Sequence, residues 1–167
     1  MNFTPDYRRW GTHLPLLRWA VENTSGAVLE LGAGNYSTPY LSSVAKRGRS
    51  VMTVEYDYGW RMASEEKYAS ANHEFRYHMP MQGLFDVVLV DQGPKRRRGS
   101  IEYLRPRVRY FVVHDTEPEE EMRYELAPVL ESFRYRFDDR LEDMPQTTIV
   151  SDTDEIALDS APTMFSV

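Results

Sequence analysis

Residues 28 to 39 read VLELGAGNYSTP, an apolar run that gives way to two glycines one residue apart and then to a polar segment. Glycine lets the backbone turn sharply and lets a ligand approach without a Cβ atom in the way. A helix that begins behind such a turn presents free N–H groups, which suit a phosphate or a carboxylate. Gly32 and Gly34 therefore predict a ligand-binding turn at the end of a β-strand.

The residues around this turn argue against a phosphate ligand. A dinucleotide fingerprint has the pattern G-x-G-x-x-G, but here the turn continues with Asn35, Tyr36 and Ser37 and has no third glycine. The P-loop pattern is also absent. Glu30 stands two residues before Gly32, where a carboxylate repels a pyrophosphate and attracts an ammonium group. A glycine pair after a strand can also be purely structural, and the turn alone leaves that alternative open.

A second acid follows the next predicted strand. Glu55 ends the stretch SVMTVE, twenty-three residues after Gly32. A carboxylate at this place in a doubly wound sheet can accept both hydroxyls of a ribose. The predicted pocket therefore suits a ligand with a ribose, a cationic group and a group that accepts N–H donors. S-adenosylmethionine has a ribose, an ammonium, a sulfonium and a carboxylate.

Three stretches resemble motifs of the class I S-adenosylmethionine-dependent methyltransferases: VLELGAGNYSTPYL (28–41), VMTVE (51–55) and FDVVLVD (85–91). The resemblance spans roughly residues 13 to 116. It implies a Rossmann-like sheet of order 3-2-1-4-5-7-6 and methyl transfer from bound S-adenosyl-L-methionine. The family also has an acid or amide after its third strand that contacts adenine, and here Gln82 or His78 would have to take that place. We predict these cofactor-binding residues: Glu30, Gly32, Ala33, Gly34, Asn35, Ser37, Glu55, Tyr56 and Asp91.

The order of the predicted elements indicates an α/β fold in a single domain, residues 1–167. Strands alternate with helices up to Phe133, and apolar runs such as VVLV and YFVV are typical of a parallel sheet covered on both faces. The last two strands have no helix between them, which predicts an antiparallel edge hairpin in a mostly parallel, doubly wound sheet. Predicted strands are 27–31, 50–55, 74–78, 85–90, 110–113, 134–140 and 147–151. Predicted helices are 7–23 (or from Pro15), one capped by Ser37 or Thr38, 58–70, 100–104 and 117–133.

Three candidate catalytic residues follow the fourth and fifth strands: Asp91, His114 and Asp115. Methyl transfer requires alignment of donor and acceptor and, for a hydroxyl or ammonium acceptor, removal of a proton. His114 is the natural base, because the ordinary pKa of histidine is near 6.5. Asp91 can orient the acceptor or act as the base. A histidine that is simply hydrogen-bonded at a strand end is the alternative for His114.

A metal-dependent variant of the reaction is a second possibility. Asp91 and Asp115 resemble the acid positions of the catechol-type, magnesium-dependent methyltransferases. Thr116 stands where that group has an amide ligand, and a hydroxyl is a weaker match. The predicted site therefore contains no metal ligand.

The run Lys95, Arg96, Arg97 and Arg98 is the one dense basic cluster of the sequence. It can bind an anionic group of a small-molecule substrate or a nucleic-acid backbone. A solvated, flexible loop is the usual role of such a run. Because the net charge is −6, a small-molecule acceptor is favoured and a nucleic-acid partner is unlikely.

Composition narrows the class of protein further. There is no cysteine among the 167 residues, which excludes disulfides, thiolate metal sites and a cysteine nucleophile. We expect a cytoplasmic protein with no signal peptide and no membrane span, and an oligomer is possible. Two alternatives to methyl transfer stay open: aminopropyl transfer from a related cofactor, and a non-catalytic module that binds S-adenosylmethionine and regulates a partner.

Overall fold

The computed structural model describes residues 11–139 and 144–157. Seven strands form one mixed sheet with the order β3-β2-β1-β4-β5-β7-β6. The first five strands run parallel, and the last two pair antiparallel as an edge hairpin. Both the predicted strand order and the predicted hairpin are confirmed. The strands are β1 Val28–Leu31, β2 Val51–Val54, β3 His73–Arg76, β4 Phe85–Val90, β5 Val108–His114, β6 Tyr135–Asp139 and β7 Thr147–Ser151.

Six α-helices flank the sheet within the described residues. They are α1 Leu14–Glu22, α2 Ser37–Lys46, α3 Tyr58–Tyr68, α4 Pro94–Leu104, α5 Pro118–Arg123 and α6 Ala127–Glu131. A short 3₁₀ turn, Arg105–Arg107, joins α4 to β5. None of these helices combines the length and the apolar character that crossing a bilayer requires.

Two hydrophobic cores lie on opposite faces of the sheet, because residues of buried parallel strands alternate between the faces. On one face, α1 and α2 pack against side chains such as Val87 and Val112. On the other face, α4 and α6 pack against side chains such as Val88 and Phe111. The apolar runs VVLV and YFVV are thus buried on both sides, as predicted.

The register aligns the carboxyl ends of four parallel strands. Leu31 pairs with Val54 on one side and with Val90 on the other, and Val90 pairs with Val113. The residues that follow these four along the chain therefore meet at one edge of the sheet: Gly32, Glu55, Asp91 and His114. This edge is where ligands bind in open α/β sheets.

Two predicted helices differ from the observed ones. The helix predicted over 117–133 is divided into α5 and α6, because Glu125 adopts a left-handed φ of 54° and Pro128 lacks an N–H group. The helix predicted at 100–104 begins at Pro94, a residue that suits a first turn. The basic run therefore forms the first turns of α4, and the flexible-loop reading of it is wrong.

The start of α2 also differs from its prediction. Tyr36 occupies the N-cap position of this helix, and its side chain makes no capping hydrogen bond. Ser37 and Thr38 are the first two residues of the helix and do not cap it. The hydroxyl of Thr38 instead accepts a hydrogen bond from the N–H of Gly34. Pro15 lies in the first turn of α1, as predicted, and residues 7–10 of the predicted helix lie outside the described part of the chain.

Candidate cofactor site

The glycine turn lies directly against the end of β4. Gly32 has a φ of 93°, which side chains rarely tolerate, and its N–H donates to the carbonyl oxygen of Val54 at 2.9 Å. A Cβ atom at Gly32 would lie 2.4 Å from the backbone oxygen of Asp91. Glycine is required here both by the backbone conformation and by the close approach of a second strand end.

Ala33 and Gly34 form the rest of the turn. The N–H of Ala33 donates to Oε2 of Glu55 at 2.9 Å. A Cβ atom at Gly34 would meet only the movable Oγ of Ser37, at 2.8 Å. The second glycine is therefore under a weaker constraint than Gly32.

Glu55 joins the end of β2 to this turn. Its other carboxylate oxygen, Oε1, accepts the N–H of Asp57 at 2.7 Å. The side chain is only partly buried, so both oxygens retain lone pairs that can face a ligand. The predicted closeness of Glu55 to the glycine turn is thus observed.

A cavity of about 440 Å³ opens at this edge of the sheet. Its volume falls within the range of small-molecule sites. The residues that line it come from the ends of β1, β2 and β4 and from the start of α4: Gly32, Glu55, Tyr56, Asp91, Gln92, Gly93, Lys95 and Arg96. Of the predicted cofactor residues, the structure brings together Gly32, Glu55, Tyr56 and Asp91.

A cation–π pair lies in the wall of the cavity. The guanidinium carbon of Arg96 lies 3.8 Å from the ring centre of Tyr56. Gln92, which no sequence motif indicated, also lines the cavity; its buried side chain donates a hydrogen bond from Nε2 to Oγ of Ser100. Its position immediately after Asp91 was the only signal for it in the sequence.

The other predicted cofactor residues lie around the cavity rather than in its wall. Asn35 is exposed and Ser37 is buried at the start of α2, and neither lines the cavity. Gln82 and His78, considered for adenine recognition, do not line it either.

Glu30 lies fully buried beneath the turn. Its carboxyl group accepts hydrogen bonds from the hydroxyl of Thr53 at 2.7 Å and from that of Thr38 at 3.0 Å. Burial raises the pKa of Glu30 from 4.5 to about 7, and these hydroxyls only partly offset the effect. Because Thr38 also accepts from Gly34, Glu30 supports the turn from below.

The substitution Glu30→Gln is expected to stabilise the protein increasingly as the pH rises. A group whose pKa is raised by folding stabilises the folded state most below its unfolded pKa, here 4.5. This stabilisation is lost as the pH rises through the folded pKa of about 7. Relative to the native chain, the variant should therefore gain about 2 to 3 kcal/mol of unfolding free energy between pH 5 and pH 8. Urea unfolding of both proteins over this range measures the difference, and other titrating groups cancel. A difference that stays constant with pH would show that the burial of Glu30 does not perturb its ionisation.

A buried arginine links the two strand ends beyond the cavity. The Nη2 atom of Arg97 lies 3.2 Å from a carboxylate oxygen of Asp91 and 3.0 Å from one of Asp115. Its Nε donates to the carbonyl oxygen of Gln92 at 2.6 Å, and its Nη1 donates to the carbonyl oxygen of His114. The predicted convergence of Asp91, His114 and Asp115 is thus observed, and Arg97 is the unforeseen group that connects them.

His114 is buried with both ring nitrogens engaged. Its Nδ1 lies 3.3 Å from a carboxylate oxygen of Asp91 and 3.3 Å from one of Asp115, and its Nε2 lies 3.0 Å from Oγ1 of Thr12. Burial lowers the pKa of His114, but the hydrogen bond and charge of Asp91 and the charge of Asp115 outweigh it and raise the pKa. Neither nitrogen is free to reach an acceptor in this conformation.

Asp91 keeps its negative charge despite its surroundings. Burial alone would raise its pKa, but the hydrogen bond and charge of His114 and the charges of His13 and Arg97 outweigh that effect and lower it. Asp91 is therefore an ionised carboxylate in the wall of the cavity.

The four residues of the basic run, 95–98, have three different surroundings. Lys95 and Arg96 are exposed and line the cavity. Arg97 is buried in the ion pairs described above. Arg98 pairs with Glu102 and Glu125 on the surface. Only the first two residues can contact a ligand in the cavity.

The strand order and the antiparallel edge hairpin match the fold of the class I S-adenosylmethionine-dependent methyltransferases. No protein-family model matches the sequence, and no curated protein does. Solved structures match over most of the chain at low identity, so their likeness shows the fold alone.

Three of these solved structures are 10% to 16% identical to this chain. An O-methyltransferase from Bacillus cereus in complex with SAH (S-adenosylhomocysteine) is 14% identical; the match covers 84% of this chain and 80% of that one, with a TM-score of 0.62. Cofactor-bound Rv0187 from MTB is 16% identical; the match covers 86% of this chain and 80% of that one, with a TM-score of 0.64. The hMettl16 catalytic domain in complex with the MAT2A 3′UTR hairpin 1 is 10% identical; the match covers 90% of this chain and 74% of that one, with a TM-score of 0.59.

Proposed function

We propose that this protein binds S-adenosyl-L-methionine and transfers its methyl group to an oxygen or nitrogen of a small, anionic acceptor. The observation that carries the proposal is the cavity itself, in which the Gly32 turn and the carboxylate of Glu55 face one space of about 440 Å³. That two solved structures of this fold hold S-adenosylhomocysteine or a cofactor supports the choice of ligand.

The cofactor would lie across the ends of the parallel strands. Glu55 accepts the ribose hydroxyls through the lone pairs that Ala33 and Asp57 leave free. The Arg96–Tyr56 pair in the cavity wall offers a surface on which an adenine ring can stack. The glycine turn faces the amino-acid end of the molecule.

Asp91 is the residue we propose to meet the acceptor, because it is ionised and lines the cavity. It orients the acceptor and takes its proton. His114 and Asp115 act through Asp91 and Arg97, since they contact these groups rather than the open space. In this mechanism His114 and Asp115 position the reacting groups. Asp91 therefore acts as the base, in place of His114, which the sequence favoured.

The acceptor class follows from the cations at the mouth of the cavity. Lys95 and Arg96 are exposed there and suit a carboxylate or phosphate group. The likeness to an RNA-bound domain keeps a nucleic-acid acceptor as a competing outcome. Aminopropyl transfer and a non-catalytic cofactor-binding module are the other competing outcomes.

Release of S-adenosylhomocysteine tests the proposed activity. Purified protein is incubated with the cofactor and a panel of small carboxylates, small phosphates and an RNA hairpin. We expect turnover with a small anion and a loss of about a hundredfold or more in kcat for Asp91→Asn. Lys95→Ala should raise the KM for the acceptor, whereas Lys46→Ala, which changes an exposed lysine outside the cavity wall, should leave it unchanged.

The nucleic-acid acceptor and the non-catalytic module each have their own signature in this assay. Turnover with the RNA hairpin and with no small anion would show that the methyl acceptor is a nucleic acid. Cofactor binding without turnover on any acceptor, together with unaltered binding in Asp91→Asn, would support the non-catalytic module.

A further inference from the structure

His13 is a buried histidine that lies beside His114. It precedes α1 and is 2% exposed. Neither of its ring nitrogens has a hydrogen-bond partner among the described residues. Buried polar groups are almost always satisfied, so an unpartnered imidazole points to a ligand at this position.

Two further potential ligands converge on the same point. One donor atom each of His13, Asp91 and His114 lies within 4.8 Å of the others. The rings of His13 and His114 have centres 4.8 Å apart and an interplanar angle of 79°. Two imidazoles that share one ion through bonds of about 2.0–2.1 Å have ring centres roughly 5 Å apart, so this spacing suits a shared ion.

The contacts of His114 have the pattern of a metal-binding histidine. Its Nδ1 and Oδ1 of Asp91 are 3.3 Å apart, longer than the usual 2.7–2.9 Å or so of a charge-assisted hydrogen bond and close to the separation of two ligands on one ion. Its Nε2 lies 3.0 Å from Oγ1 of Thr12. A histidine that binds a metal through one nitrogen usually donates a hydrogen bond from the other, and the hydroxyl of Thr12 is placed to accept such a bond.

We propose that His13, Asp91 and His114 form a binding site for a divalent transition-metal ion of the zinc type. Two imidazoles and one carboxylate suit zinc and its neighbours, whereas magnesium and calcium prefer oxygen ligands alone. The site differs from the acid pair that the sequence suggested for magnesium, because His13 and His114 join Asp91 in place of Asp115. The proposal does not depend on the proposed methyl transfer.

The charges around the site are compatible with an ion. Asp91 supplies one negative charge and Asp115 a second one nearby. Arg97 contacts both carboxylates and is the one cation in direct contact with this group among the described residues. Two carboxylates against one arginine leave a net negative charge, which a divalent ion would offset.

Zinc titration of untagged protein, pretreated with a chelator, tests the site. Calorimetry should show one tight equivalent of Zn²⁺ per chain that a large excess of Mg²⁺ does not displace. The chain has four histidines, so NMR of their ring nitrogens locates the ion. The signals of His13 and His114 should shift on addition of zinc, while those of His73 and His78 should not.

A pair of variants separates this site from adventitious binding. His13→Asn should weaken zinc binding by about a hundredfold or more, whereas His78→Asn should bind as the native chain does. If His13→Asn does not fold, the NMR result on the native chain decides. The absence of a saturable equivalent, equal shifts of all four histidines, or native affinity in a folded His13→Asn would overturn the proposal.

Discussion

Replacing Gly32 with alanine is expected to lower the free energy of unfolding by roughly 3 kcal/mol and to abolish measurable cofactor binding. Two costs combine at this position. An alanine must adopt the left-handed φ of 93°, and its Cβ would lie 2.4 Å from the carbonyl oxygen of Asp91. Because that oxygen belongs to the backbone at the end of β4, relief requires a strand end to move rather than a side chain to rotate.

Gly48→Ala is the matched control for the conformational cost. Gly48 has a nearly identical φ of 96°, but no atom lies within 4 Å of the place where its Cβ would be. Its substitution should cost only the left-handed strain, about 1 kcal/mol. Urea unfolding of the three proteins measures both values. Equal losses in the two variants would show that the contact with β4 is unimportant.

Glu55→Ala is expected to weaken the affinity for S-adenosylmethionine by about 10- to 100-fold, which corresponds to roughly 1–3 kcal/mol for lost hydrogen bonds to a charged group. The expected loss follows from the position of the carboxylate, which lies in the cavity wall beside the glycine turn. Calorimetric titration with S-adenosylmethionine or S-adenosylhomocysteine measures the change.

The control for this prediction must separate direct from indirect effects, since Glu55 also holds the N–H groups of Ala33 and Asp57. Glu74→Ala, on the neighbouring strand and outside the cavity wall, should bind the cofactor normally. A 2′-deoxy analogue gives the sharper test. The native chain should discriminate against it, and Glu55→Ala should not. Equal discrimination by both proteins would remove Glu55 from the ribose contact.

The sheet could be predicted because its signals are local. Short apolar runs bounded by turn residues located all seven strands, and residues 85–90 and 147–151 were predicted with the observed boundaries. The placement of Gly32 and Glu55 at one edge followed from strand order, because parallel strands end on the same side.

The parts that escaped prediction depend on contacts between distant residues. A basic run normally indicates a solvated surface, and nothing local showed that Arg97 would be buried between Asp91 and Asp115. Nor did the segment THLPLL show that His13 would lie beside His114, about a hundred residues further along the chain. Similarly, the break between α5 and α6 required the left-handed Glu125 as well as Pro128.

A crystal structure of the chain with S-adenosylhomocysteine would show directly where the cofactor binds. The proposed site places the nucleoside in the cavity, with both ribose hydroxyls on the carboxylate of Glu55 and the amino-acid end at the Gly32 turn. A ligand bound elsewhere, or a ribose that makes no contact with Glu55, would contradict it.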